Sequence, residues 1–184
     1  MSAYRNVIMA GFGGQGVMLI GNLLAQAAME HGLNVTFVPA YGVEMRGGTA
    51  NCTVILDRES IGSPLVQRPL STIVLNLPSL DKFQPRLAAG GVQIVNSSLI
   101  EASHVDPGIR SVLVPANDMA AKLGNPKLLN MIALGAWICA TDALPLAAVQ
   151  EALRRVISSH YAKLIPANAA ALAQGYAFAR EHAR

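Results

Sequence analysis

Thiols are scarce in this chain. Its 184 residues include two cysteines, Cys52 and Cys139, and neither belongs to a Cys-x-x-Cys pair. An ordinary iron–sulfur cluster takes four thiolates, so the chain cannot hold one alone. Both cysteines lie in apolar stretches and read as small buried residues rather than ligands or disulfide partners. Aromatic residues make up 5%, too few for a base-stacking surface, and the lysines and arginines form no dense basic run. The formal charge of +3 therefore reads as that of a mildly basic soluble protein, with no nucleic-acid partner. No apolar run approaches the roughly 18 residues that suggest a membrane span. The opening MSAYRNVIMAGFGG turns glycine-rich before an apolar core develops, so no signal peptide is expected and a cytoplasmic location is. The four histidines, His31, His104, His160 and His182, are dispersed without metal-ligand spacing and read as surface residues.

Hydrophobic residues make up 52% and charged ones 14%, the reverse of a disordered chain. So little charge fits a face buried against partners, and equally a compact Ala-rich monomer. The length suits one domain, read here as residues 1–184.

RNVIMA (5–10) reads as a buried strand, VMLIGNLLAQAAMEHG as a helix closing on Gly32, and LNVTFVPA as a second strand. That β–turn–α–β length is one βαβ unit, and its right-handed crossover places both strands parallel in one sheet. ANCTVIL (50–56) reads as a strand turning at DRES toward IGSPLV, where Pro64 limits pairing. STIVLNL (71–77), GVQIVNSS and SVLVPA (111–116) read as further strands, with a short helix at LDKFQPRLAAGG interrupted by Pro85. The last third is helical, with Asn117 a candidate N-cap and Arg154 and Arg155 on a wet face. Ser97 and Ser98 read as capping residues, and Met18, Met29, Met119 and Met131 as core filler. The expected fold is α/β: a Rossmann-like, mostly parallel sheet with flanking helices, an added β-hairpin and a helical C-terminal layer.

Gly11, Gly13 and Gly16 fit G-x-G-x-x-G, and Gly14 adds a fourth glycine. Glycines let the backbone approach a ligand, and the following helix offers free N–H groups and its positive end to an anion. A dinucleotide site also wants an acidic residue at the end of the second strand. VTFVPA offers none, which weakens an NAD reading. Gln15 stands inside the loop, where it could reach a ligand or a partner. A tight turn that merely packs helix on strand is the plainer alternative.

The stretch YGVEMRGGT (41–49) follows the second strand and sets Glu44 and Arg46 among Gly42, Gly47 and Gly48. Ligands of open α/β sheets sit beyond the carboxyl ends of the strands, so both glycine-rich loops belong to one edge. Arg46 suits a phosphate or carboxylate, and Glu44 can orient it or meet a partner chain. An incidental surface ion pair is the alternative. Asn76 ends a buried strand on the same edge and is a minor contact candidate.

GFGGQG, YGVEMRGG, NCTVIL and IGSP, in this order and spacing, resemble the gamma subunit of 2-oxoacid:ferredoxin oxidoreductases, and Gly90-Gly91 leading into VQIVNSS continues the likeness. TANCT and EMRGG look nearest to the 2-oxoglutarate (KorC-like) branch. The resemblance implies an accessory subunit of a complex that converts a 2-oxoacid and coenzyme A to acyl-CoA and carbon dioxide, reducing ferredoxin. It implies thiamine diphosphate and iron–sulfur clusters in the other subunits, and an inactive isolated chain. The implied partners are alpha and beta subunits, with a delta subunit and a homodimer of the isolated chain as further candidates. It carries Gly11, Gly13, Gly14, Gln15, Gly16, Glu44, Arg46, Gly47 and Gly48 toward coenzyme A or the subunit seam, with no proton-transfer role. A stand-alone coenzyme A- or nucleotide-binding module and an NAD(P)-dependent dehydrogenase are the alternatives.

Overall fold

The computed structural model describes residues 4–40 and 49–182. The first strand, β1 (Arg5–Phe12), is buried along both faces. Val7 and Met9 enter one core, while Ile8 and Ala10 enter another on the opposite side of the sheet. That two-sided burial explains a continuous apolar run in place of an alternating one. Helix α1 (Val17–Glu30) carries the chain back, with Gly32 just beyond its end, and β2 (Asn34–Ala40) follows.

β2 runs parallel to β1 without touching it. Strand β3 (Thr49–Asp57) lies between them and is antiparallel to both, so that Val54 faces Val7 on one side and Phe37 on the other. Strands β4 (Ser71–Val74), β5 (Val92–Asn96) and β6 (Arg110–Val114) extend the sheet in parallel from the other side of β1. The order is β2-β3-β1-β4-β5-β6, with β3 alone running against the rest. This is the expected mostly parallel sheet with an added hairpin, but the hairpin is β2–β3. The IGSPLV segment forms no strand. Both edges of β3 are already occupied, and Pro64 lacks an N–H to pair.

Helix α2 (Leu77–Phe83) starts earlier than expected, capped by Asn76, and tightens into a 3-10 turn over Gln84–Arg86 at Pro85. Helix α3 (Ala116–Lys122) has Pro115 at its cap position, so Asn117 is not the N-cap. Its side chain is taken by Asn96 instead. Ser98 does cap, through space: its hydroxyl accepts from Asp118 N–H in the first turn of α3 at 3.3 Å.

Helices α4 (Leu129–Thr141), α5 (Leu146–Val156) and α6 (Ile165–His182) complete the C-terminal layer. They pack with α1 and α3 over one face, and α2 covers the other. α4 is the central helix, buried continuously from Leu129 to Ile138. Trp137 Nε1 donates to Ser71 Oγ at 2.8 Å, and Ser71 Oγ donates to Asn6 O at 2.7 Å, which ties α4 to β4 and β1. Met131, Met18 and Met119 fill the core as expected. Met29 does not, being 54% exposed. It sits one helical step (about 100°) round from buried Ala28, on the solvent side of the last turn of α1.

Candidate functional site

β1 and β4 are neighbours whose connections leave in opposite directions, so their carboxyl ends define the crevice where open sheets bind ligands. The glycine turn occupies that crevice. Gln15 N–H donates to Phe12 O at 3.2 Å, and Phe12 N–H donates to Gln15 Oε1 at 2.7 Å. The Gln15 amide then points to Leu75 O of the adjacent strand end, at a long 3.5 Å. It lies across Gly11, where a Cβ would come within 2.6 Å of Oε1. Gln15 is thus turned inward as a brace of the turn.

Gly13 and Gly14 form its exposed crown. Gly14 has φ +94° with open space around it, and Gly16 has φ +76°. A side chain at Gly16 would collide with the amide of Asn130, whose Nδ2 donates to Gly16 O at 3.2 Å. Asn130, buried in the first turn of α4, therefore fixes the residue that launches α1. Among the described residues no side chain caps the N–H groups of the launched helix and no acidic residue stands in its first turn, which makes its positive dipole end a ready place for an anion.

Buried amides brace the neighbouring strand ends. Asn96 Nδ2 donates to Leu75 O at 3.1 Å and to Asn117 Oδ1 at 2.8 Å. Asn76 is 2% exposed, and its Oδ1 accepts from Ser79 N–H at 2.9 Å as the cap of α2. Asn96 and Asn130 were missed in the sequence reading. The signal was there: Asn130 is a lone amide in the apolar run LLNMIAL, and Asn96 closes the apolar strand VQIVN.

Glu44, Arg46, Gly47 and Gly48 lie outside the described residues. The flanking strand ends do lie on the crevice edge, since Thr49 pairs with Phe12 and Ala40 with Asn51. Beside the first turn of α1 opens a cleft of about 400 Å³, walled by Leu19, Val156, Ile157, Tyr161 and Leu164, with Asn130 at its inner side and Lys127 among its lining.

Metal chemistry has no donor set here: among the described residues no group of three His, Cys, Asp or Glu could hold an ion. Burial pushes the Cys52 thiol from the ordinary 9.0 up to about 12. Its S–H faces Val17 O at 3.6 Å inside the core. Two cysteines, one of them so placed, cannot assemble a four-thiolate cluster. No helix among the described residues is long and apolar enough to cross a membrane.

A profile of the family described as pyruvate ferredoxin/flavodoxin oxidoreductase matches residues 6–178. The ketoisovalerate oxidoreductase subunit VorA of Methanothermobacter thermautotrophicus is 39% identical over 180 residues, 96% of this chain; the chain spans 36% of that relative's length. The 2-oxoglutarate synthase subunit KorC of Methanothermobacter marburgensis is 31% identical over 160 residues, covering 83% of this chain and 86% of the relative. In fold, the chain matches the crystal structure of a keto/oxoacid ferredoxin oxidoreductase gamma subunit from Geobacter sulfurreducens. The TM-score is 0.83 at 24% identity, with 96% of this chain and 99% of that one covered.

Proposed function

The chain belongs to the pyruvate ferredoxin/flavodoxin oxidoreductase family, and from that membership we propose that it is the gamma-type accessory subunit of a CoA-dependent 2-oxoacid:ferredoxin oxidoreductase. The observation that carries the site is the uncapped N-terminus of α1 behind the exposed Gly13–Gly14 crown. Phosphate groups of coenzyme A are the anions that such a turn suits. Arg46 and Glu44, from the segment anchored on the same edge, complete the contact, with Gly47 and Gly48 giving the backbone room and Asn76 bordering the crevice. Decarboxylation and electron transfer belong to partner chains with thiamine diphosphate and iron–sulfur clusters, since this chain lacks the thiolates for a cluster.

The substrate is a 2-oxoacid. The TANCT and EMRGG runs favour 2-oxoglutarate, whereas the VorA relative, with the higher identity of the two, favours ketoisovalerate. Turnover of the reconstituted complex on each acid decides between them.

The test of the site is the KM for coenzyme A in that complex. Arg46→Ala is expected to raise it about tenfold, the loss of one charge-assisted contact, and Gly14→Ala to raise it as well, because φ +94° disfavours a residue with a Cβ and shifts the crown. The Michaelis constant for the oxoacid stays put. Unchanged coenzyme A kinetics in both variants refute the ligand role of this edge.

A further inference from the structure

The cleft beside α1 is walled from three stretches far apart in sequence. Leu19 comes from the first turn of α1, other side chains from residues 125–130 leading into α4, and the rest from residues 156–168, which turn through a 3-10 segment (Ser159–Leu164) between α5 and α6. Among the described residues, three of the nine exposed large apolar side chains, Leu19, Tyr161 and Leu164, meet on this cleft. Apolar side chains exposed singly are ordinary, whereas an apolar concavity of about 400 Å³ with a few polar groups is the form that small-molecule sites take.

The polar groups of the cleft are of two kinds. The buried amides are spent on the protein itself. Asn130 Nδ2 donates to Gly16 O at 3.2 Å and its Oδ1 accepts from Met131 N–H at 2.7 Å, while Asn168 Nδ2 donates to Leu164 O at 2.7 Å. The exposed groups left for a guest are donors. Lys127 lines the cleft, and the one ion pair among the described residues joins Arg155 to Glu30 instead. Ser158 precedes the 3-10 segment without making a side-chain cap bond to it. Residues 119–130 and 156–174 also hold Lys122 and Lys163, and neither stretch contains Asp or Glu. The first turn of α1 lacks an acidic residue as well, and its dipole end is positive. The cleft is therefore apolar within and positive at its rim. An apolar body that carries an anion complements both, displacing water from the walls and meeting the ammonium at the mouth.

We propose that this cleft binds a small amphiphilic carboxylate, with its aliphatic part on Leu19, Leu128 and Leu164 and its carboxylate on Lys127 and Ser158. A head group that only donates hydrogen bonds finds no free acceptor in that set, and a neutral head gains no charge-assisted contact. Neither Gly13 nor Gly14 lines the cleft, so the proposal stands whether or not coenzyme A binds at the glycine crown.

The experiment titrates the isotope-labelled full chain with octanoate, octanol and octylammonium in turn, following backbone amide signals by nuclear magnetic resonance. Octanoate is expected to saturate, with its shifts gathered on Leu19, Leu128, Asn130 and Ser158–Leu164, and to bind about tenfold more tightly than octanol, the worth of one hydrogen bond to a charged group. Octylammonium is expected to bind most weakly of the three. Lys127 is exposed, so Lys127→Glu leaves the fold intact; it should bring octanoate down to the affinity of octanol and leave octanol unchanged. Octanoate shifts that fail to saturate, or that gather elsewhere, overturn the site. Equal affinities for octanoate and octanol, or octanoate binding that survives Lys127→Glu undiminished, overturn the carboxylate as its ligand.

Discussion

The glycine turn shows how single residues divide labour that a motif merges. Gly16 answers to Asn130 and to a positive φ, Gly11 makes room for the Gln15 amide, and only Gly13 and Gly14 face outward. Spacing alone cannot separate these roles, because the group that claims Gly16 is 114 residues away. Cys52 is a second case in which burial settles the chemistry. The folded chain holds the thiol proton up to about pH 12, while the unfolded chain loses it near 9. Stability from this group is therefore full below pH 9 and declines as pH rises toward 12, by up to about 1.4 kcal/mol per pH unit. Urea unfolding at pH 8 and pH 10.5 should show a larger drop for the parent chain than for Cys52→Ala. Equal drops contradict the burial account. In the folded protein a thiol reagent at pH 8 should label Cys139, which is half-buried, well before Cys52.

At the level of elements, glycine acts through closeness of backbones. α4 and α6 cross where Gly135 meets Leu172 O and Gly175 meets Ile132 O, with no space for a Cβ at either position. Helix propensity alone makes Gly→Ala stabilising by about 1 kcal/mol. Packing reverses the sign, since the obstacle is carbonyl backbone and the helices must part. Gly135→Ala and Gly175→Ala should each cost about 3 kcal/mol in chemical denaturation. A gain in either variant contradicts this crossing. The helical pattern of both segments was legible in the sequence, and so was the β1–α1–β2 unit, because periodicity and glycine stops are local signals. The insertion of β3 between β1 and β2 was not, because strand neighbours are chosen by long-range pairing. The same limit displaced the hairpin: IGSPLV had a strand-like composition but no free edge to join. Asn117 misled for a related reason. A cap-type residue beside a proline was equally fit to serve a buried partner, and Asn96 claimed it.

For the whole molecule, the sheet is the common wall of two unequal cores. The larger lies under α1 and α3–α6, the smaller under α2, and β1 contributes side chains to both. Neither core can lose order without stripping one face of β1, so the described residues are expected to unfold as one unit. The sequence match covers 36% of one relative's length and 86% of another's. Trp137 makes the single unit testable without a label. It is the one tryptophan, fully buried in the larger core, and its indole N–H reaches Ser71 at the start of β4. Its fluorescence follows the α4–sheet contact, whereas far-ultraviolet circular dichroism averages all the helices, α2 included. In a urea titration of the isolated chain the two signals should share one midpoint and one slope. A fluorescence transition that precedes or trails the circular dichroism by more than the fitting error divides the chain into two units.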